Sequence, residues 1–424
     1  MKITTFLAAT VLAFSQETSD PKARQRLVRD LARGGQESIP QIAPYVSDRD
    51  LNVRIEAVKV LAETGGPKTV EPLLVAARDN DPEVQIRATE GLVNVYLPGY
   101  SKTGIAGSVQ RAGNAIRARF GDTNDQVIDD YVQVKPEVIQ ALGRLVTGGA
   151  SLESRAAAAR ALGILRGQAA LPQLIEAVHS KDTIVMYEAL VAIQKIRDPS
   201  AGPNIEFRLK DLDERVQLVT IETTGILRNR EAAPQLRDVL EHTKSPKVRR
   251  VALTALSRLG DPADHPVFLR YLSDKDEVLR AAACEGLGRL ANPVDRATLD
   301  KFFAGERTLN PRISSAFALV LLGNLDNTDF SPLRYLVNSL NQRAVRESAR
   351  ALVTELARDE KIRQAIYPLL TRATKDEKIQ LAIILARSGE RDSLQYLETL
   401  SVDPDPDVAQ EGIRSLRTLR ARLP

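Results

Sequence analysis

Apolar residues recur at intervals of three and four through most of the chain, the period of an amphipathic helix. In KVRRVALTALSRLGD, Lys247–Asp261, valine, alanine and leucine share one stripe, and Gly260 ends it. Near-copies occur as LNVRIEAVKVLAETG at Leu51–Gly65 and AVRESARALVTELARD at Ala344–Asp359. With Ala252 as anchor, matching positions are Leu27, Ala57, Ala88, Ala158, Ala189, Thr220, Ala283, Ser315, Ala349, Leu381 and Gly412. Four residues after most of them stands a large apolar partner, such as Leu61, Leu162, Leu256 or Leu385. Successive anchors lie 30–34 residues apart, except for one step of 70 residues between Ala88 and Ala158. A fixed period of this size is the signature of stacked helical repeats.

Proline marks a second element in each copy. Pro172, Pro203, Pro234 and Pro266 each follow their anchor by 14 residues, Pro72 by 15 and Pro40 by 13. Proline is tolerated in a helix's first turn, where its missing N–H has no partner to lose. Each unit therefore reads as helix, short turn, second helix. Gly65, Gly66, Gly163, Gly260, Gly323 and Gly389 punctuate the turns. A small anchor lets a neighbouring helix approach, and the large partner fills the groove. One such pair cannot bury its apolar stripes alone, but stacked pairs share a core. The predicted class is all-α, an α-solenoid: a superhelix of about twelve helix pairs with one insertion.

The spacing, the D…VR…A…L pattern and the placed proline resemble the HEAT-repeat family in its short bacterial form. The likeness spans about Thr18 to Pro424, apart from the long step, and is best at Asp50–Leu61, Lys247–Leu256 and Ala344–Val353. It weakens where Thr220, Leu381 and Gly412 replace the small alanine. The resemblance implies that the arginine after the valine pairs with an aspartate in a neighbouring turn, as a structural ladder. In this chain those arginines are Arg54, Arg249 and Arg346, with Arg155 and Arg312 in the same column. Short repeats of this kind also occur in bilin-lyase-like proteins.

The organisation expected is a signal peptide at 1–15, repeats at 16–96, an insertion at 97–135, and a repeat array at 136–424. The helix Pro136–Val146 reads as the delayed second helix of the interrupted unit. Inside the insertion, Val109, Ala112, Ile116 and Phe120 make the apolar stripe of a helix at Ser108–Phe120, with Arg111, Arg117 and Arg119 off it. Three readings compete: a helix folded onto the array edge, a partner-docking helix, and a peripheral contact with an anionic membrane. Tyr96 and Tyr100, flanking Pro98-Gly99, complete the candidate partner-binding set of Tyr96, Tyr100, Arg111, Arg117, Arg119 and Phe120. The acidic run DTNDQVIDD, Asp122–Asp130, lacks the glycine and the ligand alternation of a calcium loop.

Export rests on the first residues. Lys2 precedes the apolar run Ile3–Phe14, and Ala13-Phe14-Ser15 suits a cut after Ser15. The run is shorter than the roughly 20 residues that span a bilayer. A periplasmic or secreted location is expected; the alternative, a greasy first helix of the fold, leaves the protein cytoplasmic. Cys284 is the only cysteine, so no internal disulfide forms.

Charge and chemistry narrow the function. The chain has 59 basic and 55 acidic residues, a net of +4, and only 4% aromatics with no Trp. That small excess does not favour nucleic acid unless the basic residues cluster. His179, His242 and His265 are too far apart for a local zinc site. HEAT-like iron hydroxylases carry His-Glu dipeptides, and this chain has none. Cys284 has no basic neighbour that would activate it. No catalytic, cofactor-binding or metal-ligating residue is assigned, and no cofactor is expected. The leading expectation is a non-catalytic scaffold whose concave face and insertion hold a protein partner. A lyase-like or hydroxylase-like enzyme (or enzyme partner) and a nucleic-acid-binding helical repeat are the alternatives.

Overall fold

A computed structural model of the chain describes residues 19–100, 126–129 and 131–423. They fall into two compact units: Met1–Ile128 with Val134–Ile196, and Asp129–Gln133 with Arg197–Pro424. Both are all-α; among the described residues every regular element is a helix. The first helices span Pro21–Leu31, Leu51–Thr64, Pro82–Tyr96, Leu152–Ile164 and Thr183–Ile196 in the first unit. In the second they span Glu214–Ile226, Pro246–Leu259, Glu277–Leu290, Leu309–Leu321, Arg346–Leu356, Lys375–Ser388 and Pro406–Arg422. A second helix follows each but the last, which has none among the described residues. The chain is thus an α-solenoid of helix pairs ended by a lone first helix.

Local chemistry sets the register. Seven residues before its anchor, nearly every first helix has a polar cap. Asp20, Asp50, Asp81, Ser151, Asp213, Ser245, Asp276, Thr374 and Asp405 all accept from backbone N–H groups of the first turn. Asp182 does the same for Thr183–Ile196. Each cap satisfies an otherwise orphaned donor and contributes about 1 kcal/mol. Pro172, Pro234 and Pro266 sit in the first turn of their second helices, as the spacing predicts. The helix Pro136–Gly148 packs on Leu152–Ile164.

Anchors and partners form the core. Ala57, Ala158, Ala252, Ala349 and Leu381 are fully buried, as are Leu61, Leu162, Leu256, Val353 and Leu385. Each buried leucine contributes about 2 kcal/mol of transfer free energy. Leu27 is 40% exposed, because no described helix stacks before its own. Adjacent first helices also approach closely at small residues beside the anchor. A Cβ added to Gly163, Gly225 or Gly288 would lie 2.8, 2.8 or 2.6 Å from the Cα of Ala192, Ala255 or Ala318. The helices therefore touch five residues after one anchor and three after the next.

The turn after several first helices holds a left-handed residue. Gly260 and Gly323 provide it with φ of 62° and 87°. At the equivalent places stand Arg166, Arg197, Arg228 and Ala291, with φ of 48°, 60°, 53° and 53°. A side chain costs roughly 1 kcal/mol in that conformation.

Candidate functional site

The root of the insertion is fastened to first-helix ends. Asn94 donates to the Ala62 carbonyl and accepts from the Gly99 N–H, both at 2.9 Å. The Tyr96 hydroxyl accepts from the Lys135 N–H at 3.2 Å, joining the exit of the insertion to its return. Ile128 N–H donates to the Ile164 carbonyl at 3.0 Å, and Lys195 Nζ to the Gln126 carbonyl at 3.4 Å. Ile164 and Lys195 both lie in the last turn of a first helix. Arg111, Arg117, Arg119, Phe120 and the expected helix 108–120 lie outside the described residues, as does the segment 1–15.

Tyr100 joins a half-buried charged cluster. Its neighbours are Arg160, Glu90 and Glu188. Arg160 is hydrogen-bonded to Glu188, whose carboxylate is almost wholly buried. Burial works against the Arg160 charge, but Glu188 overrides it and holds the guanidinium above its ordinary range. Burial pushes the Glu90 carboxyl up to about 7, against the pull of Arg87 and Arg160. It also raises the Tyr100 hydroxyl, with Arg160 opposing. One cation here meets two carboxyl groups and a phenol.

In the second unit, Glu355 is a hub. Its carboxylate accepts from Arg228 at 2.9 Å and from Arg289 at 3.0 and 2.8 Å. Arg289 also donates to Glu285 at 3.1 Å and reaches the Ser257 hydroxyl at 3.3 Å. Arg228 and Glu355 are 127 residues apart, so this unit curves enough to bring ends of distant first helices together. Burial pushes the Glu355 carboxyl up, but Arg289, Arg228 and Arg358 overcome it and hold the group below its usual range. Arg197, Arg258, Arg358 and Arg387 also stand in or just beyond the last turn of a first helix. Desolvation, then the charges of Arg387, Arg358 and Arg258, lowers the affinity of Arg197 for its proton. Sequence reasoning missed these arginines, although Arg166, Arg197 and Arg228 each follow an anchor by eight residues.

Elsewhere in this unit, Asp129 binds Arg414 at 2.8 Å, and Arg417 lies 5.6 Å from the centre of the Tyr131 ring.

The arginine column three residues before each anchor behaves in two ways. Arg54 bonds Asp79 at 2.6 Å and the Asp48 carbonyl at 3.0 Å. Arg346 bonds Asp376 at 2.6 Å and the Leu340 carbonyl at 2.7 Å. Arg155 and Arg249 reach only carbonyls six residues back, those of Gly149 at 3.2 Å and Thr243 at 3.0 Å, with no acid among the described residues. Arg312 stacks on the Phe303 and Tyr335 rings, at 5.1 and 4.7 Å. Arg24 and Arg280, in the same column, bond Asp48 and Glu306 at 2.8 and 2.9 Å. The sequence reading overlooked both.

The histidines lie at ends of second helices, His179, His242 and His265. His265 bonds Asp295 at 2.9 Å. Burial pushes the Cys284 thiol well above its ordinary value, the opposite of an activated nucleophile. Among the described residues no group of three His, Cys, Asp or Glu could hold a metal ion, and no helix is long and apolar enough to cross a membrane.

Comparison with known proteins bears on the fold. The chain is similar to an engineered protein of solved structure, at 18% identity and a TM-score of 0.40, covering 90% of this chain and 98% of the other. The complex of CpcE and CpcF of phycocyanin lyase from Nostoc sp. PCC7120 aligns at 17% identity and a TM-score of 0.37, covering 63% and 92%. Kap121p bound to Nup53p aligns at 14% and 0.38, covering 94% and 48%. No curated protein sequence matches the chain. The family described as HEAT repeats matches residues 8–93, 139–222, 203–288 and 233–320, more than half of the sequence. With its period, its capped first helices and its stacked core, the chain belongs to the HEAT-repeat family.

Proposed function

We propose that the protein is a non-catalytic scaffold that holds a protein partner on the face formed by its first-helix ends, with the 97–135 insertion taking part. One observation carries this reading. The insertion leaves at Tyr96–Tyr100 and returns past Ile164 and Lys195, so both its ends lie where first helices terminate. Insertions in solenoids commonly project from the binding face. Spreading contacts over many repeats gives affinity without a deep pocket. The test is capture of partners from the source cells by the full chain and by a chain in which a short Gly-Ser linker replaces the insertion. Loss of a partner from the second, with unchanged helicity by circular dichroism, supports the reading. Retention of every partner contradicts it.

We also propose that the protein lies outside the cytoplasm, on the layout of Lys2, Ile3–Phe14 and Ser15. The family match beginning at residue 8 offers the competing reading, a first repeat that includes the apolar run. N-terminal sequencing of the natural protein separates them. A start at Gln16 supports export, and an intact Lys2 opposes it.

A further inference from the structure

We propose that Glu355 is a latch across a joint inside the second unit. Bound to Arg228 and Arg289, it holds two abutting apolar cores in one arrangement. Its release lets them rock about the helix Leu309–Leu321 and so changes the curvature of this unit. The latch stands independently of the scaffold reading above.

The core of this unit is built in two parts. One apolar cluster runs from Leu209 to Leu319 and a second from Ile313 to Leu419. They meet on Leu309–Leu321, which gives Ala318 and Leu319 to the first and Ile313, Ala316, Phe317 and Val320 to the second. The repeat is also least regular there. Among the described first helices, Leu309–Leu321 and Arg346–Leu356 are the two without a side-chain N-cap bond. Their anchors, Ser315 and Ala349, are 34 residues apart, the longest step outside the insertion. Two cores joined through an irregular helix pair have the layout of a hinge.

Glu355 crosses that joint. It stands on Arg346–Leu356, whose Ala349, Leu352, Val353 and Leu356 belong to the second core. That helix packs on Leu309–Leu321, Pro332–Ser339 and Lys375–Ser388. The arginines that Glu355 binds come from past these neighbours. Arg289 belongs to Glu277–Leu290, and Arg228 stands just beyond Glu214–Ile226. Both of those helices pack in the first core, through Leu287 and Ile221.

These bonds are directional where the apolar contacts are not. Glu285 at 3.1 Å and the Ser257 hydroxyl at 3.3 Å fix Arg289 on the first side, and its guanidinium lies 5.0 Å from the centre of the Phe317 ring on the hinge helix. Its Nε and Nη2 then meet the two Glu355 oxygens at 3.0 and 2.8 Å, a bidentate pair that admits one orientation. Arg228 adds a bond at 2.9 Å. Apolar burial has no preferred direction of its own. Removing the charge at 355 therefore frees the joint while both cores keep their apolar contacts.

The test is a distance measurement by pulsed electron paramagnetic resonance on the full chain. Cys284→Ala removes the buried thiol, and Glu241→Cys and Lys361→Cys carry spin labels at exposed second-helix sites on opposite sides of the joint. With Glu355 in place, one narrow distance distribution is expected. Glu355→Gln is expected to shift or widen it by more than about 2 Å, the scale of a hinge rearrangement. Arg228→Gln removes only the bond of a 55% exposed arginine. It is expected to act in the same direction by less, and it decides the matter should Glu355→Gln lose helicity by circular dichroism. Glu306→Gln breaks the Arg280 pair on one side of the joint and is expected to leave the distribution as it was. An unchanged distribution in every folded latch variant, or an equal change in Glu306→Gln, would overturn the proposal.

Discussion

Arg160 in the first unit and the arginines around Glu355 in the second both belong to first helices, yet their surroundings are opposite. Arg160 meets Glu188, Glu90 and Tyr100, so its charge is matched inside the protein. Around Glu355, one carboxylate is shared by Arg228 and Arg289, and the charge of Arg358 also acts on it. The same repeat therefore builds two kinds of charged cluster. The first is matched within the protein; in the second, two arginines share one carboxylate. Burial decides which is which. A buried cation without a carboxylate is costly, whereas a solvated one is tolerated.

The largest expected effect is in the matched cluster. Glu188→Ala strands Arg160, whose side chain keeps 26% exposure, so the cost falls just below the range for a fully buried pair, at about 2–3 kcal/mol. Urea denaturation measures it, and an unchanged midpoint would remove the distinction between the clusters.

Glu90 gives the next effect, with a definite sign. Its folded carboxyl titrates near 7, above the ordinary 4.5, so the folded state binds the extra proton between those values. That contribution to stability is full below about 4.5 and is lost as pH rises through about 7. Glu90→Gln should flatten the fall in stability across this window, by on the order of 2 kcal/mol. Thermal melts at acid and neutral pH follow it, and parallel pH profiles for both proteins would contradict the assignment.

Two smaller changes sharpen the contrast. Arg197→Gly relieves a left-handed arginine, so it should stabilise the second unit by about 0.5–1 kcal/mol. A loss of stability would mean that the side chain serves the fold. Arg387→Gln, at a solvated site, should alter stability by less than about 0.5 kcal/mol. A larger loss in calorimetry would reveal a structural partner for this arginine.

The fold was legible because the core repeats in one dimension. Anchor, partner and proline recur with little drift, and Ala252, Leu256 and Pro266 each lie where that period puts them. The cap column from Asp20 to Asp405 was equally open to reading. The contact point at Gly225 and Ala255 was harder, because several small residues lie near each anchor and only the stacking angle selects one. The charged clusters were hidden for a different reason. Arg228 and Glu355 meet across 127 residues, and the curvature that joins them accumulates from small rotations between repeats. Neither residue has an unusual sequence neighbourhood. Arg249 shows the opposite difficulty: it fits the ladder column but finds a carbonyl, while the next residue, Arg250, takes Asp276.

Site-specific photo-cross-linking in the source cells tests the central claim most directly, with a photoreactive phenylalanine placed at Arg258 on a first-helix end or at Glu241 on a second helix. The account predicts that the probe at 258 captures a protein partner and the probe at 241 does not. Capture from 241 alone, or from neither position, would contradict a partner surface on the first-helix ends.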